Sequence, residues 1–174
     1  RNAAHPLRLE ARREGPTNAE IGQAVRDRNR LFESPARRAE YRSRLEAAAL
    51  VMERLAPLQP RLVGLLLLGV LEPQPVINLH GFAETVEEVI IELADRGITT
   101  RTGERHYGRG GRNIRAPYLS FRGPEGLDIE LTVFPPDGLR QAPPSPVDGK
   151  PMRRLNLAGV RDLLEKTGTA PFQD

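Results

Sequence analysis

A strict alternation of apolar and polar side chains over residues 127–133 constrains the fold more than any other feature of the sequence. The apolar positions are Leu127, Ile129, Leu131 and Val133, and the polar positions between them are Asp128, Glu130 and Thr132. Successive side chains of a β-strand point to opposite faces of a sheet. The segment therefore predicts a strand that buries one face and carries two carboxylates on the other.

Short apolar runs predict the other strands. Residues 61–71 and 76–82 are continuous apolar runs that prolines separate, which is typical of buried strands. Two more strands are expected over residues 99–107 and 116–121. The pattern predicts an α/β (α+β) fold in which a mixed sheet of about five strands is flanked by helices.

Four segments have the spacing of helices, at residues 17–32, 35–55, 84–95 and 157–166. Capping residues support them: Thr17 with Glu20, Gly97, Asn156 and Gly168. We predict three regions along the chain. They are a basic N-terminal arm and first helix (1–33), an α/β core (34–134), and a proline-rich segment with a C-terminal helix packed on the core (135–174).

Composition restricts the classes of function. The chain has no cysteine, which excludes disulfides and thiolate chemistry and fits a reducing compartment, so we expect a cytoplasmic protein. The longest apolar run, residues 62–71, is about half of what a bilayer requires, and no membrane association is expected. The chain has 26 lysines and arginines, and all of them except Lys150 and Lys166 are arginines. The planar guanidinium group of arginine can bind phosphate or carboxylate through two parallel hydrogen bonds.

Two segments carry a resemblance to a known family: RLVGLLLLGVLEPQPVINLHGF and LDIELTVF. These two segments and the order of predicted elements over about residues 38–134 resemble those of the nucleotidyltransferase superfamily. The resemblance implies a Gly-Ser turn, an Asp-x-Asp pair on the next strand and a third carboxylate, which together bind magnesium and a triphosphate. Gly69 matches the glycine of the turn, and Asn78 matches the second aspartate of the Asp-x-Asp pair. Glu130, or alternatively Asp128, matches the third carboxylate.

The sequence departs from this family pattern at the metal ligands. Val76 replaces the first acid, Asn78 replaces the second with a neutral amide, and Val70 replaces the serine. A hard divalent cation loses most of its attraction to such a set of ligands. We therefore expect weak or absent metal-dependent transfer, with Mg²⁺ as cofactor only if the chain is catalytically active.

Arginines surround a glycine-rich turn in the segment ERHYGRGGRNIR. A turn of this kind exposes backbone N–H groups and directs guanidinium groups at a phosphate, so Arg105, Arg109 and Arg112 are candidate ligand-binding residues. Two alternatives stay open: the arginines are solvated at a hairpin tip, or they form internal salt bridges with Asp128 and Glu130.

His80 follows Asn78 by two residues, so on a strand both side chains point to one face. Facing Glu130, this pair could bind a ligand by hydrogen bonds, and His80 with Glu130 could serve as general acid and base. The alternative is a hydrogen-bonded polar cluster without catalytic function.

The sequence favours a divergent nucleotidyltransferase-like domain that binds a nucleotide or another phosphate-bearing ligand, RNA included. The alternative is a non-catalytic interaction domain whose arm binds a protein partner or forms a homodimer. Residues 17–31 resemble the first helix of a DNA-binding helix-turn-helix only weakly, because a long core helix follows them.

Overall fold

The structure, a computed structural model, describes residues 34–108, 113–146 and 148–168. The described chain folds into α1 (Pro35–Arg54), β1 (Arg61–Val63), β2 (Val76–Phe82), α2 (Val86–Asp95), β3 (Arg101–Tyr107), β4 (Ile114–Arg122), β5 (Asp128–Phe134) and α3 (Leu157–Gly168). Short 3₁₀ helices lie at Ala56–Leu58, Pro124–Gly126 and Pro136–Leu139. The predicted helix at 17–32 and residues 109–112 around the glycine-rich turn lie outside the described residues.

The five strands form one mixed sheet in the order β1-β2-β5-β4-β3. Strands β2 and β5 are parallel neighbours, and the other three pairs are antiparallel. Parallel neighbours require a long crossover connection, and here α2, β3 and β4 supply it. The predicted mixed α/β sheet of five strands is confirmed.

All three helices pack on one face of the sheet. Their buried side chains form one core with alternate strand residues, among them Leu79, Leu119, Ile129 and Leu131, which are fully buried. The predicted alternation holds for the first part of the strand, where Ile129 and Leu131 enter this core while Glu130 lies on the opposite face. Beyond it, Thr132 is buried too, although it also lies on the opposite face.

Helix α1 begins where the sequence indicated. Ser34 is extended and Pro35 occupies the first turn, where the missing N–H of proline has no helical partner to lose. The apolar stripe predicted for this helix is buried throughout: Tyr41, Leu45, Ala48, Met52 and Leu55.

The prediction of a strand over residues 61–71 is wrong beyond Val63. The chain turns at Gly64 and again at Gly69, whose φ angles of 80° and 77° lie in the left-handed region that favours glycine. Val70 N–H donates to the carbonyl of Leu65 at 2.9 Å and closes the second turn. Leu66 is buried, so the apolar run reflects a buried loop, which composition alone does not distinguish from a buried strand.

Side-chain caps set the starts of the two later helices. Thr85 Oγ1 accepts a hydrogen bond from Glu88 N–H at 3.3 Å, so α2 begins two residues after the predicted Glu84. Asn156 Oδ1 accepts from Gly159 N–H at 2.9 Å, as predicted for α3. Gly168, expected to cap α3, is helical and is the last residue that the structure describes, so its predicted role as a cap stays a prediction.

The described residues between β5 and α3, 135–146 and 148–156, run irregularly. They contain the last 3₁₀ helix, an isolated bridge between Pro144 and Pro151, and a second bridge in which Leu155 pairs with Leu62 of β1. Within the described ranges no helix has the length and apolar character needed to cross a bilayer.

Candidate functional site

The sheet face opposite the helices carries the polar side chains. We call it the open face and define it by these residues: Asn78, Arg101, Gly103, Arg105, Tyr118, Ser120 and Glu130. Strand register puts them on one side, because Asn78 and Ser120 both lie directly beside Glu130, and Gly103 lies beside Tyr118. Two residues predicted for the site, Asn78 and Glu130, are therefore nearest neighbours on parallel strands.

Arg105 joins these two neighbours. Its Nη1 donates to Asn78 Oδ1 at 3.1 Å, and its Nη2 donates to Glu130 Oε2. The side chains of Arg105 and Glu130 retain 30% and 17% of their exposure, so the ion pair is only partly shielded from water. The sequence interpretation that hairpin arginines serve as internal salt-bridge partners applies to Arg105.

Arg105 stays charged in this position. Burial opposes its charged form, but the neighbouring Tyr107 and Glu130 outweigh that cost and raise the pKa of Arg105 above its ordinary value. The cluster formed by Asn78, Arg105 and Glu130 thus carries one positive and one negative charge.

Tyr118 supports the arginine from the adjacent strand. The Arg105 guanidinium carbon lies 5.0 Å from the centroid of the Tyr118 ring, within the range of a cation–π contact. The ring lies across Gly103, where a Cβ atom would come within 2.5 Å of it. A glycine in the middle of a strand often marks such a close approach, and this was the sequence signal that could have identified Tyr118.

His80 lies on the same side of the sheet but is fully buried. Its Nε2 is 3.2 Å from the Tyr107 hydroxyl, which donates to Thr132 Oγ1 at 3.1 Å. With the hydroxyl proton directed at Thr132, the consistent tautomer of His80 carries its proton on Nε2 and donates it to Tyr107. Nδ1 is then unprotonated, and it has no hydrogen-bond partner among the described residues.

Burial, and after it the positive charges of Arg154 and Arg105, lower the pKa of His80 from 6.5 to about 3. The imidazole is therefore neutral at physiological pH. The structure places His80 beneath the open face, where solvent does not contact it, and its predicted acid–base role remains a prediction.

The segment after β5 packs on the same side of the sheet as His80. Arg154 donates to the carbonyls of Gly138 and Leu139 at 2.7 and 2.9 Å. Met152 packs against a second apolar cluster that includes Phe82, Tyr107 and Phe134. The described residues of this segment thus close one end of this side of the sheet, and the end with Asn78, Arg105 and Glu130 stays accessible.

The remaining predicted residues lie apart from this cluster. Asp128 is exposed and pairs with Arg122 at 3.2 Å. Gly69 lies in the connection between β1 and β2, but the glycine placed against Asn78 is Gly64, where a Cβ atom would lie 3.3 Å from that of Asn78. Arg109 and Arg112 lie outside the described residues.

The charged residues flanking the glycine-rich turn point to both faces of the sheet. Arg105 faces the open side, whereas His106 and Arg115 lie on the other side, 3.3 and 3.7 Å from Glu104. The expectation of a single arginine cluster around this turn does not hold for Arg105 and Arg115, because neighbouring strand positions alternate between faces.

Metal ligands are sparse on the described part of the chain, where no three His, Cys, Asp or Glu side chains form a group able to hold an ion. Val76 lies directly beside Asp128, so an apolar side chain occupies a position next to that carboxylate. Comparison of the chain with family models, curated proteins and solved structures gives no match.

Proposed function

We propose that the open face binds a nucleotide through its phosphates, and that binding requires no divalent metal ion. The domain is then a divergent relative of nucleotidyltransferases with weak or no transfer activity. The observation that carries this proposal is the pair of arginines on β3, Arg101 and Arg105, whose side chains share the accessible end of the open face.

Arg101 supplies an available cation. It is exposed, lies beside Ser120 of β4, and has no ion-pair partner within the residues that the structure describes. A guanidinium that carries no carboxylate partner can give its full charge to a phosphate, and such charge-assisted hydrogen bonds are short and strong.

Arg105 supplies a fixed direction. Its contacts with Asn78, Glu130 and Tyr118 hold the side chain in one orientation. The N–H groups that these contacts leave unused stay available to an anion. Because Glu130 offsets its charge, Arg105 contributes orientation more than net attraction, and Arg101 contributes most of the electrostatic affinity.

The proposal that transfer activity is weak or absent is supported by the residues at the expected metal-ligand positions. Of the positions that the family resemblance assigns to magnesium, Val76 has no donor and Asn78 is neutral. The remaining carboxylate is Glu130, or alternatively Asp128, and each is already paired with an arginine, Glu130 with Arg105 and Asp128 with Arg122. Two-metal transfer needs several carboxylates that are free to hold the ions.

Calorimetric titration with ATP, GTP, CTP and UTP tests the proposal, each in EDTA and in Mg²⁺. We expect binding of at least one nucleotide in EDTA, with affinity changed little by Mg²⁺ and no transfer of a labelled α-phosphate. Arg101→Gln should weaken binding about tenfold, which is the loss of one charged hydrogen bond of about 1.5 kcal/mol. Arg115→Gln is the matched control, because this exposed arginine lies on the opposite face, and it should bind like the native protein.

Two outcomes contradict the proposal. Binding that occurs only with Mg²⁺ and leads to label transfer would restore a metal-dependent enzyme. The absence of binding for all four nucleotides in both buffers would leave the open face without this function.

A further inference from the structure

We infer that the Arg105 guanidinium is the resident cation of the open face. It occupies the space between Asn78 Oδ1 and the Glu130 carboxylate, so these two oxygen ligands are unavailable to a divalent metal ion. Removal of the guanidinium should convert the pair into a metal site that the native chain does not have.

The two oxygens have the chemistry and spacing of metal ligands. Asn78 and Glu130 are register partners on parallel strands, which lie about 4.8 Å apart. Both side chains direct an oxygen at the same positively charged group. Carboxylate and amide oxygens are ligands of hard divalent cations, and solvent can complete the coordination at a partly exposed site.

The tethered guanidinium has two advantages over a dissolved ion. Arg105 is attached to β3 of the same sheet, so it competes as an intramolecular group, with an effective concentration on the order of millimolar or higher. The Tyr118 ring also holds the arginine in place, 5.0 Å from its centroid. An incoming ion must displace this cation and meet its positive charge at close range.

A purely structural ion pair would make a different prediction. If Arg105 and Glu130 only tie β3 to β5, removal of the arginine should lower stability and create no affinity for metal. A resident cation predicts a gain of binding, which a structural role would not produce.

Binding of Mn²⁺ to the full-length protein, followed by electron paramagnetic resonance without nucleotide, distinguishes the two. Arg105→Ala should bind one Mn²⁺ about tenfold more tightly than native protein, because an unpaired carboxylate and an amide oxygen then face the vacated space. The double variant Arg105→Ala/Glu130→Gln should lose that gain. Arg101→Ala is the matched control, since it removes the same charge from the same strand without freeing a carboxylate, and it should gain nothing.

Two further measurements cover the case in which Arg105→Ala does not fold. Arg105→Gln keeps the apolar stem beside Tyr118 and removes the charge, so it should also gain Mn²⁺ affinity. In native protein labelled with ¹⁵N, Mn²⁺ should leave the side-chain amide resonance of Asn78 unbroadened.

Selective broadening of that resonance in the native protein would overturn the inference. So would folded Arg105 variants that bind Mn²⁺ no better than Arg101→Ala. Because no nucleotide is present, these results are independent of whether the open face binds one.

Discussion

Acidification should destabilise the protein through one buried imidazole. His80 is fully buried, and its pKa falls from 6.5 to about 3 in the folded chain. A group whose folded pKa is lowered binds its proton more readily in the unfolded chain, so unfolding is favoured as the pH drops. The stability is fully present above pH 6.5 and is lost progressively as the pH falls toward 3.

The magnitude follows from the two pKa values. At pH 5 the imidazole of the unfolded chain is protonated, since pH 5 lies about 1.5 units below its pKa, whereas the imidazole of the folded chain is still neutral. At about 1.4 kcal/mol per unit, the free energy of unfolding therefore falls by about 2 kcal/mol between pH 7 and pH 5. The structural reason is local: a proton would have to enter at Nδ1, which faces no acceptor among the described residues.

Urea denaturation at pH 7 and pH 5 measures this loss directly. Native protein should lose about 2 kcal/mol more than His80→Gln, which has no imidazole to protonate and keeps an amide near Tyr107. His106→Gln is the control, because His106 is exposed beside Glu104, and it should lose as much stability as native protein. Equal losses in native protein and His80→Gln would refute the reasoning.

Further substitutions test the packing and the caps by urea denaturation. Leu131→Ala should cost about 2–5 kcal/mol of stability because the side chain is fully buried in the sheet, whereas Ile91→Ala, at a side chain that is 61% exposed, should change it by less than about 0.5 kcal/mol. Thr85→Ala should cost about 1 kcal/mol through the lost N-cap of α2. Gly103→Ala should displace the Tyr118 ring, because the added Cβ would lie 2.5 Å from it. The tyrosine fluorescence, with Tyr118→Phe used to identify the part that Tyr118 contributes, should therefore change. An unchanged signal would contradict the close contact.

Local periodicity predicted the parts of the fold that depend on neighbouring residues alone. The two-residue alternation of β5 and the three- and four-residue spacing of α1 predicted side chains that enter the core, and those side chains are buried. Thr132 is buried as well, which its polar position in the alternation did not indicate. The run over residues 61–71 failed because a continuous apolar segment has no period, and only the glycines at 64 and 69 indicated that the chain turns there.

Contacts between distant strands could not be predicted from local patterns. Sequence reasoning placed Asn78 and His80 on one face, but His80 is buried against the rings of Tyr107 and Phe134, which lie on other strands. The contacts of Arg105 with Tyr118 and Glu130 follow from the register of β3, β4 and β5, which is set by tertiary packing.

The location and metal independence of nucleotide binding are tested most directly by ¹⁵N chemical-shift mapping of the native protein with ATP in EDTA. The largest shifts should fall on open-face residues, at Arg101, Gly103, Tyr118 and Ser120, while Val89 and Leu93 in the core beneath α2 stay unchanged. Shifts confined to the helical side, or shifts that arise only after Mg²⁺ is added, would contradict a metal-free nucleotide site on this face of the sheet.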